Sequence, residues 1–422
     1  MKRFIALFSI LFASTIAFAG VSTPKKVVMI SIDGFRPDFY ISKGFDAPNL
    51  KALTKQGVYA DGMEATFPTV TYTNHTTLVT GVTPDKHGVL SNTLFDWNDG
   101  PSEAWYWESE KIQSPTIWDK AKTAGLTTAS VRWPVTVGAN IDHLVPEIFP
   151  KSPWYVGTTW SLTLELTKPD VMADILKGAE LEPFTDGKDA DVWATKATAY
   201  LFKKHKPDLT LLHILEADHV QHGTGRDSAE TKEAVKFVDG LIGDLSSAIG
   251  NDACLLIVGD HGFSDYTKSV NINKLFVDKG WISLDAKGKV SSWEVIAQKA
   301  GAQAAIYIKN PKLAFEVAKV LSDNQKLGYE VVNRNELDKL GAYPEAYAAV
   351  SAKKGFSIGG GMTGALVDTN AVAGQHGFLP TNPEMHTGFI AKNCGLGSAG
   401  KNLGLVKNTD VAGIIESVLH IH

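Results

Sequence analysis

Two textures alternate along the chain. Lys26–Asp33 (KVVMISID), Asp208–Glu216 (DLTLLHILE) and Cys254–Asp260 (CLLIVGD) are near-continuous apolar runs, each ending in a carboxylate. Thr127–Arg132 has the character of a further strand. Between them, Pro115–Gly125, Asp189–His205 and Asp227–Ile249 carry apolar residues at helical spacing. Strands apolar on both faces, alternating with helices, predict an α/β fold with a mainly parallel sheet covered on both sides. Such sheets bind ligands at the carboxyl ends of their strands. That rule brings Asp33, Asp218 and Asp260 to one rim, where their charges repel unless cations neutralise them.

Ile282–Ala371 reads differently. A strand-like VSSWEVIA is followed by AAIYIK, a helix over Lys312–Asp323, GYEVV and the glycine-rich Gly359–Gly364. The expectation is a smaller α+β lobe over 282–371, inserted into a catalytic α/β domain made of 20–281 and 372–422. His386–Ala391 reads as a closing strand and Asp410–Leu419 as a last helix.

Composition changes this picture at its ends. Met1–Ala19 has Lys2 and Arg3, a short apolar run broken by Ser9, Ser14 and Thr15, then Ala17-Phe18-Ala19. This is the pattern of a cleaved secretory signal and too short for a stable membrane anchor. It predicts a secreted or periplasmic protein. Without the leader the net charge moves from −5 to −7, which argues against a nucleic-acid polymer as partner. Nothing in the sequence sets an oligomeric state. Cys254 and Cys394 are the two cysteines. Secretion permits a disulfide, but Cys254 opens a buried run where free thiols are also common, and the sequence does not fix their separation.

The candidate chemistry centres on Phe67–Asn92, FPTVTYTNHTTLVTGVTPDKHGVLSN. It reads as a loop entering a short helix over Thr76–Thr80, with Gly81 as the residue past its end and Pro84 as a stop. Thr71 lies just ahead of that helix, where free backbone N–H groups suit a phosphate. A threonine hydroxyl needs a base or a metal to become a nucleophile. Asp218 and His222 stand at i, i+4; Asp260 and His261 follow a buried strand; His376 sits in AGQHGF. Together with Asp33 these are three Asp and three His, a supply of N and O donors that suits two divalent ions, zinc above others. Two such ions about 4 Å apart could activate Thr71 and clamp a phosphoryl oxygen.

Taken together, VVMISIDGFRPDFY, the Phe67–Asn92 stretch, EADHVQH, IVGDHGF and GQHGF resemble the nucleotide pyrophosphatase/phosphodiesterase family of the alkaline phosphatase superfamily. The resemblance implies an alkaline-phosphatase-like fold and hydrolysis of nucleotide diesters or pyrophosphates through a phospho-threonine on Thr71. It implies that Asp33, Thr71, Asp260 and His261 surround one zinc. Asp218, His222 and His376 hold the other, and Asn92 donates its amide to a phosphoryl oxygen. The family reads Thr-Phe-Pro-Asn-His where this chain has Thr71-Tyr72-Thr73-Asn74-His75. Thr73 in place of proline is expected to loosen the turn. Tyr72 keeps the aromatic that stacks on a base, and Trp154 or Tyr155 is a candidate for the opposite wall.

The other histidines have plainer readings. His75 and His87 hold loops, His213 is a core histidine, and His219 points away from the site if strand alternation persists. His386 opens a strand, and His420 and His422 are terminal. Trp97–Trp107, Trp154 and Trp160 read mainly as packing. Alternative substrates for the same site are phosphonoacetate, with Lys111, Arg132 or Lys151 on its carboxylate, a phosphomonoester or a phospholipid headgroup. A binding protein without turnover would need neither Thr71 nor Asn92.

Overall fold

The computed structural model describes residues 26–149 and 158–421. The leader Met1–Ala19, Lys151, Trp154, Tyr155 and His422 fall outside the described residues. The central sheet contains β1 (Lys26–Ile32), β2 (Val58–Tyr59), β3 (Thr128–Val131), β4 (His143–Val145), β5 (Leu209–Ile214), β6 (Ala253–Val258) and β7 (Phe389–Lys392). Their order is β2-β7-β6-β1-β5-β3-β4. β1 pairs in parallel with β5 and β6, and β3 with β4 and β5. β7 runs antiparallel between β6 and β2 at one edge. β5 and β6 are buried along their whole length, as two-sided apolar runs require. The helices α2 (Lys188–His205) and α4 (Ala229–Ile249) pack on one face, where they share a core with Val28, Ile30, Ile32, Leu212 and Ile257. The last helix, α5 (Val411–Leu419), covers the other face against Val27, Met29 and Leu256.

The Phe67–Asn92 stretch is more regular than its composition indicates. Helix α1 spans Thr71–Thr80, so Thr71 is its first residue rather than lying ahead of a helix over Thr76–Thr80. All ten residues are buried, and Gly81 ends the helix with φ 72°. Asn74 knits the entry together. Its Nδ2 donates to Pro68 and Val70 carbonyls, and its Oδ1 accepts from Thr66 N and Asn408 Nδ2. These bonds hold the turn without a proline at 73.

The run Asp208–Glu216 also ends differently. β5 stops at Ile214, and Glu216 opens helix α3 (Glu216–Thr224). Asp191 of α2 accepts from Leu215 N and Glu216 N and pairs with Arg132 at 2.8 Å, which anchors the start of α3.

A second core gathers residues 295–352 with Phe67, Val270, Phe276, Trp281, Phe378 and Met385. It surrounds a four-stranded antiparallel sheet that includes the hairpin Val295–Ala300 and Gln303–Ile308. The hairpin tip reaches the main domain, where Ala302 N donates to the His376 carbonyl at 2.8 Å. His386 precedes strand β7, which starts at Phe389. Cys254 and Cys394 form a disulfide, so the buried thiol is not free. Among the described residues no helix is long and apolar enough to cross a membrane.

Candidate active site

The carboxyl ends of β1, β5 and β6 deliver the acidic groups. Asp33 follows β1, with its N–H on the Ile214 carbonyl at 2.8 Å. Gly34, at φ 65°, then turns the chain and donates N–H to Asp260 Oδ1 at 3.1 Å. Asp260 and His261 follow β6, and Asp218 and His222 share one side of α3. His376 enters from the strand Val367–Gln375 and is held by Nδ1 on the Thr69 carbonyl, 3.0 Å away.

The distances close a tight group. His261 Nε2 lies 3.2 Å from Asp260 Oδ2, 3.3 Å from Asp33 Oδ1 and 3.3 Å from Thr71 Oγ1. Asp218 Oδ1 is 3.4 Å from His222 Nε2 and 4.0 Å from both His261 Nε2 and His376 Nε2. The His261 and His376 rings stack at 3.6 Å. Two groups can each hold one ion: Asp218, His222 and His376, and Asp33, Asp218 and His261. Asp260 Oδ2 sits at the edge of the second group through its contact with His261. Asp218 is common to both, so the two positions adjoin.

The residues fit a pair of cations. Asp33 Oδ1, Asp218 Oδ1 and Asp260 Oδ2 are buried without a hydrogen-bond donor, a costly arrangement for bare carboxylates. Burial raises the Asp33 carboxyl well above its ordinary range, and the Asp218 and Asp260 charges add to this. Burial likewise pushes Asp260 up to about 7. At Asp218 burial also opposes ionisation, but His222, His376 and His261 outweigh it and hold the group well below the ordinary carboxylate range. Burial lowers His376 to about 4 and takes His261 well below its ordinary value, so both rings are neutral donors at neutral pH.

A cavity of about 610 Å³ opens onto Asp33, Thr71, Asp218, His222 and His376, while His261 and Asp260 lie behind its surface. Asn92 borders it. Its Oδ1 accepts from Tyr72 N at 2.9 Å, which turns Nδ2 outward as a donor. Tyr72 is fully buried, edge-on to Trp105 at 5.0 Å, and Trp105 stacks on Phe149 at 4.4 Å. Tyr72 thus backs an aromatic wall rather than offering a free face. Lys111 lies away from the cavity in a short helix beside Glu110, whereas Arg132 lines it.

Two histidines differ from their sequence reading. His219 lines the cavity, because α3 replaces strand alternation with helical rotation. His213 is buried, but it is more than a core residue: Nδ1 meets Glu147 Oε2 at 2.5 Å, and Nε2 lies 3.3 Å from Asp33 Oδ2. His87 bonds Thr77 and Val89, whereas His75 bonds the Thr71 carbonyl within α1 at 2.8 Å and lies 3.6 Å from Asp260 Oδ2. Sequence reading missed Glu147, Asp186, Glu216 and Asp191. Glu216 opens the EADHVQH motif without being singled out there, and no motif marks the other three, which reach the site through a loop or a long-range contact.

Fold and site together define an alkaline-phosphatase-like α/β protein with a buried cluster of carboxylates and imidazoles at its strand ends. The family model described as type I phosphodiesterase / nucleotide pyrophosphatase matches residues 27–379, and the chain belongs to that family. It is 27% identical over 271 residues to human ectonucleotide pyrophosphatase/phosphodiesterase family member 1, covering 62% of this chain and 26% of that protein. The chain thus spans about a quarter of this relative's length. An uncharacterized pyrophosphatase/phosphodiesterase of Schizosaccharomyces pombe is 24% identical over 415 residues, 94% of this chain and 77% of its own. Among solved structures, an inactive variant of murine ectonucleotide pyrophosphatase/phosphodiesterase 5 in complex with AMP superposes with a TM-score of 0.67. That match is 21% identical and covers 94% of this chain and 96% of that one. It carries the fold.

Proposed function

We propose that the protein is a secreted or periplasmic two-metal phosphodiesterase that cleaves phosphodiester or pyrophosphate bonds of small nucleotide-like molecules. The observation that carries this reading is Thr71. Its hydroxyl sits at the head of a helix, 3.3 Å from His261 Nε2, inside the only convergence of three carboxylates and three imidazoles among the described residues. Asp33, Asp260, His261 and Thr71 would hold one divalent ion, and Asp218, His222 and His376 the other. When bound, such ions neutralise phosphoryl oxygens and acidify a hydroxyl or water, and zinc suits this donor set.

Thr71 Oγ attacks phosphorus in line with the leaving oxygen, the P–O bond to the leaving group breaks, and Thr71 carries the phosphoryl group. Water then releases it and restores the hydroxyl. The helix start and the Asn92 amide stabilise the equatorial oxygens, so catalysis rests on placement and charge. Trp105 and Phe149, backed by Tyr72, form the proposed wall for a nucleobase, which fits the AMP bound to the murine relative. The cavity volume suits a ligand of nucleotide size. Arg132 on the same cavity favours a second reading, in which the same chemistry acts on a phosphonate with a carboxylate, such as phosphonoacetate.

The experiment compares wild type and Thr71→Ala on bis-p-nitrophenyl phosphate, thymidine monophosphate nitrophenyl ester, p-nitrophenyl phosphate and phosphonoacetate. The diesters should lead, and the variant should lose about 10⁴-fold or more in kcat while keeping its metal. A preference for the monoester removes the phosphodiesterase assignment. Surviving activity in Thr71→Ala removes the nucleophile.

A further inference from the structure

Behind the carboxylate cluster, on the sheet side, lies a second layer of polar residues that the reaction above does not use. His213 is the fifth residue of β5 and pairs across the sheet with Ser31 of β1, so its ring points to the strand end where Asp33 begins. Glu147, just past β4, closes on the same ring from the other side. Glu147 and His213 are both buried, at 4% and 0% exposure, so neither contact is a chance surface pairing.

The geometry is directional. Nδ1 of His213 is 2.5 Å from Glu147 Oε2; Nε2 lies 3.3 Å from Asp33 Oδ2, within ion-pair reach, and has no hydrogen-bond partner among the described residues. The other Asp33 oxygen, Oδ1, faces His261 at 3.3 Å and has no donor of its own. One carboxylate oxygen is thus turned to His213 and the other to the ion position. A carboxylate that binds a metal through one oxygen is oriented by what holds the second, and such partners typically contribute 10–100-fold in metal affinity. The opposite ion position is oriented by other groups. Asp218, His222 and His376 are held by helix α3 and by the carbonyls of Gly374 and Thr69.

We propose that His213, backed by Glu147, is a positioning residue that fixes Asp33 for the ion beside Thr71 and has no part in the other ion position. This rests on the two-metal reading above. Neither residue touches the reacting atoms. Glu147 also borders the substrate cavity, so its substitution is not used as the primary test.

The test reads zinc binding to the full chain by competition with a chromophoric chelator, in two variants that separate the ring nitrogens. In His213→Gln the amide nitrogen stands where Nε2 stood and can still serve Asp33. In His213→Asn it stands where Nδ1 stood and serves only Glu147. The expected result is two ions in wild type. In His213→Asn one ion should bind about 10–100-fold more weakly and the other unchanged, with His213→Gln losing clearly less. Thermal melts in chelator check that both variants fold; a purely structural role would lower both melts together and not split the two ions.

Wild-type affinity for both ions in His213→Asn overturns the proposal, as does equal weakening of both ions, or a His213→Gln variant no better than His213→Asn. A wild-type chain that binds no zinc is a different failure. It removes the two-metal reading itself, and the positioning role with it.

Discussion

Asp260 and Asp33 show how single residues at the site depend on charge that the chain itself does not provide. Buried and facing other carboxylates, both hold protons more tightly than a carboxyl in water, Asp260 up to about 7. An ion that binds them must displace those protons. Below about pH 7 the proton on Asp260 and the ion compete, and Asp33 and His222, both raised from their ordinary values, extend that competition upward. Zinc affinity should therefore rise with pH from about 5 to about 7 and beyond, by about tenfold per unit for each proton released. His376, lowered to about 4, adds no proton competition in that window. Titration calorimetry in buffers of different ionisation enthalpy counts the protons directly. A flat affinity across this range would show that the carboxylates ionise without help.

At the scale of an element, α1 bears on one departure from the family's pattern. Thr73 is the third residue of the helix, and such an N–H has no carbonyl four residues back within the helix. Among the described residues its N–H has no acceptor, and its Oγ1 has no partner. A proline there would lose no hydrogen bond and has the φ of a first turn. Thr73→Pro should then stabilise the protein by about 0.4–1 kcal/mol through the unfolded chain, with turnover unchanged. The midpoint of urea unfolding measures it, and a loss of more than ~1 kcal/mol would mean that Thr73 N–H has a role in the fold. Helix α3 teaches the opposite lesson. Its first residue falls inside an apolar run that reads as strand, so the strand period was carried too far, and His219 was placed on the wrong side.

At the scale of the whole molecule, two devices tie distant parts together. The Cys254–Cys394 disulfide joins central strand β6 to the chain just past β7, next to the sheet edge, across 140 residues of sequence. Replacing both cysteines by serine should cost about 2–5 kcal/mol in unfolding free energy. An unchanged denaturation midpoint would show that packing alone secures that edge. The hairpin contact from Ala302 to the His376 carbonyl is the other device, since it lets the second core support a residue of the candidate site.

The apolar strands, their helical partners and the acidic groups at strand ends were legible from the chain alone, because a buried parallel sheet imposes a local pattern of side chains. The motifs around Thr71, Asp218, Asp260 and His376 were legible for the same reason: each is a short run whose residue types state their chemistry. Only the tertiary structure decided which of these groups meet. It placed Asp218 in both residue groups that could hold an ion, buried Tyr72 behind Trp105, paired the cysteines and brought Glu147 through His213 to Asp33. Those contacts join residues far apart in sequence, and no local periodicity encodes a distance between them.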